Sequence, residues 1–98
     1  METFDDIIKG DKPVLVDFFA TWCGPCRALA PVLDALAEAR PELRIGKVDV
    51  DAQPELAARF DVLTVPTLLL FRSGRLLRRT TGAKTLTELE EFLRSGEA

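Results

Sequence analysis

The 98-residue chain has no histidine and only two cysteines, Cys23 and Cys26, which stand in the run Trp22-Cys23-Gly24-Pro25-Cys26. Those counts settle most of the chemistry open to it. Without imidazole there is no Ser-His-Asp or Cys-His nucleophile pair, no haem ligand from histidine and no His-containing zinc site. Carboxylates, lysines and the two thiols remain. A Cys-x-x-Cys spacing in the first turn of a helix puts both sulfurs on one side, where a short disulfide can close. The first sulfur also sits where unpaired N–H groups and the positive end of the helix dipole favour a thiolate. The dipole alone contributes about 0.3–1 kcal/mol, less than one pKa unit, so a larger depression needs direct hydrogen bonds to the sulfur. Redox exchange is the strong reading. Haem attachment is ruled out because Arg27 follows the second cysteine where histidine is needed. A purely structural bridge would close a tiny loop and stabilise little. A zinc site is left only carboxylate ligands, or four thiolates shared across a dimer, and is the minor alternative.

The elements that must hold these thiols follow from hydrophobic periodicity. Thr3 with Asp6 resembles a capping box, Phe4, Ile7 and Ile8 share a face, and Gly10 stops a short first helix. Val14 to Ala20 is a near-continuous apolar run, which predicts a strand buried on both faces. Cys26 to Arg40 carries Leu29, Val32, Leu33 and Leu36 at helical spacing, with Pro31 inside as an expected kink. Leu43 to Val50 reads as a second strand. Pro54 opens a short helix over Glu55 to Phe60. Thr67 to Phe71 is a third strand, turned by Ser73-Gly74 into a fourth over Arg75 to Thr81. Thr85 and Glu88 form another capping box, and Leu86, Leu89, Phe92 and Leu93 supply the buried face of the last helix. The order α-β-α-β-α-β-β-α predicts an α/β fold: a mixed four-stranded sheet with helices on both faces, in one domain over residues 1–98. A chain of this length buries roughly two-thirds of its extended surface and needs no metal or disulfide framework to hold a core.

Beyond the cysteines, the run from Val16 through Asp17, Phe18, Phe19, Ala20 and Thr21 to Trp22-Cys23-Gly24-Pro25-Cys26 closely resembles the thioredoxin family. The similarity continues through Pro31, Lys47-Val48-Asp49-Val50-Asp51, Val65-Pro66-Thr67-Leu68, Phe71 with Gly74, and Gly82-Ala83. It covers nearly the whole chain. The resemblance implies a thioredoxin-like fold and a thiol–disulfide oxidoreductase working mainly as a reductant of protein disulfides. It makes Cys23 the exposed nucleophile that forms a mixed disulfide, and Cys26, one turn deeper, the resolving thiol that leaves a Cys23–Cys26 disulfide.

Other residues carry competing readings. Asp17 is a lone carboxylate in an apolar strand, ordinarily an exposed acid. Its same-face neighbours Leu15 and Phe19 are large and apolar, so burial and a raised pKa are expected, and the resemblance makes it the acceptor of the Cys26 proton. Lys47 is either a surface lysine protecting an edge strand or, in the family pattern, a modulator of the buried carboxylate. Pro66 reads by itself as an ordinary trans proline at a strand edge. The resemblance makes it a cis proline facing the cysteines, with Val65 backbone groups binding substrate as an added strand. Trp22, Gly24, Pro25, Val65, Gly82 and Ala83 would then form an apolar rim suited to disulfides on many proteins.

The chain departs from the family pattern in places. A strand that usually precedes the first helix has no counterpart here, which predicts an exposed edge along Leu43 to Val50 and either a four-stranded monomer or a weak edge-paired dimer. Leu63 stands where a basic residue is common, Thr64 where glycine is, and Phe19 where tryptophan is. A net charge of −3 argues against non-specific nucleic-acid or anionic-membrane binding. The charged first ten residues and the lack of a long apolar run predict a soluble, cytoplasmic protein without a membrane span. No cofactor site is legible. The expected partners are disulfide-bearing proteins and a separate thioredoxin-reductase-type flavoenzyme that recharges the dithiol. Two rival readings stay open: a binding subunit that uses the fold's surface and not its thiols, and a periplasmic or membrane-tethered reductant.

Overall fold

Two segments of this chain are apolar runs, Val14 to Phe19 broken only by Asp17 and Leu68 to Phe71 unbroken, and strands of this kind must be covered on both faces. The computed structural model, which describes residues 2–97 and side chains through Arg94, shows how. The elements run α1 (Phe4–Ile8), β1 (Val14–Phe19), α2 (Gly24–Ala39), β2 (Arg44–Asp49), α3 (Pro54–Arg59), β3 (Thr67–Arg72), β4 (Arg75–Thr81) and α4 (Leu86–Glu97). The sheet order is β2-β1-β3-β4, with β1 parallel to β2 and antiparallel to β3, and β3 antiparallel to β4. The predicted mixed α/β sheet is therefore present, with β2 and β4 at its edges.

Alternation divides the central strands between two cores. Leu15, Leu68 and Leu70 pack with Leu29, Leu33 and Leu36 of α2 and Leu89, Phe92 and Leu93 of α4. Val14, Val16, Phe18, Leu69 and Phe71 face the other way, against Ile8, Phe4 and Ile7 of the first helix and Leu56 and Phe60 near α3. Ion pairs lace each helical layer: Arg40 reaches Glu90 between α2 and α4, and Arg59 reaches Asp5 between α3 and α1.

Local chemistry sets the ends of the elements. Thr3 and Asp6 exchange both bonds of the predicted capping box, and so do Thr85 and Glu88. Ser73 and Gly74 both have positive φ, 54° and 78°, as a two-residue hairpin of the type that follows strand twist requires. The second helix differs from expectation. It begins at Gly24 and not at Cys26, with Cys23 as its N-cap and Pro25 in its first turn, and Pro31 lies inside it as expected. A proline fits the first turn because the N–H it lacks has no intrahelical partner there. That places Cys23, and not a residue after it, at the helix mouth.

Candidate active site

The site is assembled at the carboxyl end of β1, where the chain leaves the sheet and enters α2. Cys23 and Cys26 are joined by a disulfide with their Cα atoms 5.2 Å apart. As N-cap, Cys23 accepts a hydrogen bond at Sγ from the Cys26 backbone N–H at 3.2 Å. This is the direct donor to sulfur that the helix dipole alone could not replace. The structure corrects one expectation. Cys23 is not exposed: at 4% accessibility it is as enclosed as Cys26 at 6%, packed with Ala20 and bordered by Phe19, Val50 and Val65. The Val65 carbonyl oxygen lies 3.7 Å from Cys23 Sγ.

Val65–Pro66 is a cis peptide bond, and Pro66 is buried at the head of β3. The antiparallel register pairs Thr67 with Thr81, and the Gly82 N–H donates to the Pro66 carbonyl at 2.9 Å. Gly82 thus lies beside Pro66 at the cysteine end of the sheet, with φ of 87° that a glycine tolerates without strain. Ala83 follows, exposed, on the same connection. Gly24 and Pro25 are exposed on the first turn of α2. Trp22 is 68% exposed.

Asp17 is fully enclosed by residue accessibility, and its Oδ1 finds no hydrogen-bond partner among the described residues. Burial pushes its pKa up to about 6 from an ordinary 3.8, while the Lys47 ammonium pulls part of the way back. Lys47 is Asp17's partner in the β1–β2 register. Both line an open cleft of about 280 Å³, together with Phe19, Cys26, Arg27 and Ala30. One space therefore joins the buried carboxyl to the second cysteine.

Two contributors were missed by sequence reasoning. Asp51 accepts a hydrogen bond from Trp22 Nε1 at 2.9 Å, fixing an otherwise exposed ring, and its own N–H is held by Asp49 Oδ1 at 2.9 Å. The 29-residue separation hid this pair; the available clue was that an indole N–H seeks an acceptor. Arg27 enters as a wall of the Asp17 cleft and donates to the Thr21 carbonyl at 3.1 Å. On sequence alone it had served only to exclude haem.

Comparison with known proteins agrees with this geometry. The thioredoxin family model matches residues 1–95. The bifunctional thioredoxin reductase/thioredoxin of Mycobacterium leprae (strain TN) is 51% identical over 82 residues, which is 83% of this chain and 18% of that protein. A thioredoxin of Mycolicibacterium smegmatis is 50% identical over 95 residues, covering 90% of this chain and 85% of the relative. Among solved structures, Fasciola hepatica thioredoxin superposes with a TM-score of 0.84 at 41% identity, covering 90% of this chain and 84% of the other. The family match over nearly the full length, with half the residues shared with a thioredoxin, admits one conclusion: the chain belongs to the thioredoxin family of thiol–disulfide oxidoreductases.

Proposed function

We propose that the reduced protein is a general reductant of protein disulfides in which Cys23 attacks and Cys26 resolves. The Cys23 thiolate attacks one sulfur of a substrate disulfide, forming a mixed disulfide as the substrate's other sulfur leaves as a thiolate and takes up a proton. The Cys26 thiol then loses its proton to Asp17 and attacks Cys23 Sγ. That step releases the second substrate thiolate and forms the Cys23–Cys26 disulfide. Two electrons pass from the dithiol to the substrate. The observation that carries the assignment is the Cys26 N–H aimed at Cys23 Sγ: the same donor stabilises a thiolate at Cys23 and not at Cys26.

Asp17 suits proton acceptance because it is buried, lacks a partner at Oδ1 among the described residues and lines the cleft that Cys26 also lines. Lys47, which lines the same cleft, tunes the carboxyl by charge. Trp22, Gly24, Pro25, Val65, Pro66, Gly82 and Ala83 form the face on which substrate rests, with Val65 offering backbone groups to an extended segment. Recharging falls to a separate thioredoxin-reductase-type flavoenzyme. The relative that joins both names in one polypeptide supports that pairing. None of the described helices is long and apolar enough to cross a membrane. A reductant of this kind belongs in the cytoplasm, where thiols are kept reduced.

The decisive experiment pairs single variants with a redox titration. Cys26→Ser should accumulate mixed disulfides with denatured disulfide proteins, and Cys23→Ser should not. The reverse pattern would overturn the assignment. A midpoint clearly more oxidising than a glutathione buffer at cytosolic poise would exclude a reductant, and activity that survives loss of both thiols would favour the binding-subunit rival.

A further inference from the structure

Leu63 is 91% exposed, the most exposed large apolar side chain among the described residues. A single exposed leucine is ordinarily unremarkable. Its setting is not. Leu63 belongs to none of the three apolar clusters, although Val62 and Val65 on either side do. Nor does it ride on a loose loop: the Val62 N–H donates to the Ala57 carbonyl at 2.8 Å, and Thr67 Oγ1 donates to the Thr64 carbonyl at 2.7 Å. The backbone is tied on both sides and presents this one side chain outward. With Trp22, Val50, Val62, Thr64 and Val65 it lines a cleft of about 140 Å³ that contains no ionisable group. Trp22, the opposite wall, is held by Asp51. Such a cleft is pre-organised, so an apolar side chain can enter it without first ordering its walls.

We propose that Leu63 is a specificity-determining residue: with Trp22 it seats a large apolar side chain of the substrate, two residues from the cysteine under attack. The inference rests on the reading that substrate lies along Val65. Its geometry is as follows. The Val65 carbonyl is 3.7 Å from Cys23 Sγ, which fixes where the attacked cysteine comes to rest. Leu63 is two residues back along the chain, a span of at most about 7 Å. An extended substrate advances about 7 Å in two residues and returns its side chains to the same face over that interval. The residue two away from the substrate cysteine therefore faces the Leu63–Trp22 cleft, whereas the adjacent residue points away. A charged side chain at that position would lose water against a mostly apolar lining, none of whose six residues carries an opposite charge.

The test uses short peptides whose single cysteine is bonded to a chromogenic thiol, with Leu, Ser or Lys placed two residues before or after it. Rates of release by the reduced protein are followed by stopped flow. The wild-type protein should favour the Leu peptide over the Lys peptide by roughly tenfold in one of the two placements, the discrimination a small apolar pocket provides. Leu63→Met should keep that ratio, and Leu63→Glu should reverse it in favour of Lys. Equal rates on all peptides with the wild-type protein, or an unchanged ratio in Leu63→Glu, would overturn the proposal. Failure of the underlying reading looks different: no peptide would be reduced, or Cys23→Ser would reduce them as fast.

Discussion

Asp17 is the residue where environment most changes behaviour. Its neighbours on the strand are apolar, and the fold closes α2 over it, so its carboxyl holds a proton up to pH about 6. An unfolded chain would release that proton near the ordinary 3.8. Between those values the folded state binds more protons than the unfolded one, so stability falls as pH rises through the window and levels off above it. The loss is on the order of 3 kcal/mol. Asp17→Asn should therefore flatten the pH dependence between about 4 and 6 and stabilise the protein at pH 8 by about 2 kcal/mol, as read from denaturant midpoints. The same variant should slow resolution of a mixed disulfide at pH 7 by at least about tenfold, measured by rapid quench. A stabilised variant with an unchanged resolution rate would separate burial from proton transfer. Asp51 invites a second test. Asp51→Ala removes the acceptor for Trp22 Nε1 at an exposed site, so stability should change by only about 1 kcal/mol. Tryptophan fluorescence anisotropy should fall as the single indole gains freedom, and KM for protein disulfides should rise several-fold.

Among the elements, the capped helices were the most legible because their signals are local. Thr85 and Glu88 are three residues apart and satisfy each other's end of α4 directly. Thr85→Ala should cost about 1 kcal/mol of stability by chemical denaturation. The edge strand β2 is a different case. The Arg44 and Val50 N–H groups turn inward to the Pro13 and Phe19 carbonyls, at 3.2 and 2.9 Å, so the intervening odd residues Ile45, Lys47 and Asp49 present their backbone groups outward. An open row of this kind can pair with another chain, and Lys47 in its middle opposes that by charge. We expect a monomer at micromolar concentration in sedimentation, and appreciable self-association once Lys47→Ile removes the charge. A monomeric Lys47→Ile would show that the edge is protected by other means. The exposed edge along β2 was expected from the strand that the chain lacks, whereas the Asp51–Trp22 contact does not announce itself in the sequence, because it depends on two segments 29 residues apart meeting at one end of the sheet.

At the scale of the molecule, the sheet is a wall between two cores, and Phe71 ties one of them together. Its ring packs edge-on against Phe4 at 5.8 Å and Phe60 at 5.3 Å, joining β3 to α1 and to the end of α3. Phe71→Ala should cost about 3–5 kcal/mol, and hydrogen exchange should rise first in α1 and α3 rather than in α2 and α4. Uniform loss of protection would mean the two cores fail as one unit. The sequence by itself determined the element order, the double coverage of β1, both capping boxes and the placement of the two cysteines in one motif. Each of those is written within about ten residues, where spacing and local hydrogen bonding act. Tertiary structure alone decided that Cys23 is enclosed, that Asp51 holds Trp22, that Leu63 projects beside it, and which of the two readings of Lys47 holds, by setting it across from Asp17 in the β1–β2 register. Those facts depend on strand order and on segments tens of residues apart meeting at one end of the sheet, and no local pattern carries that information.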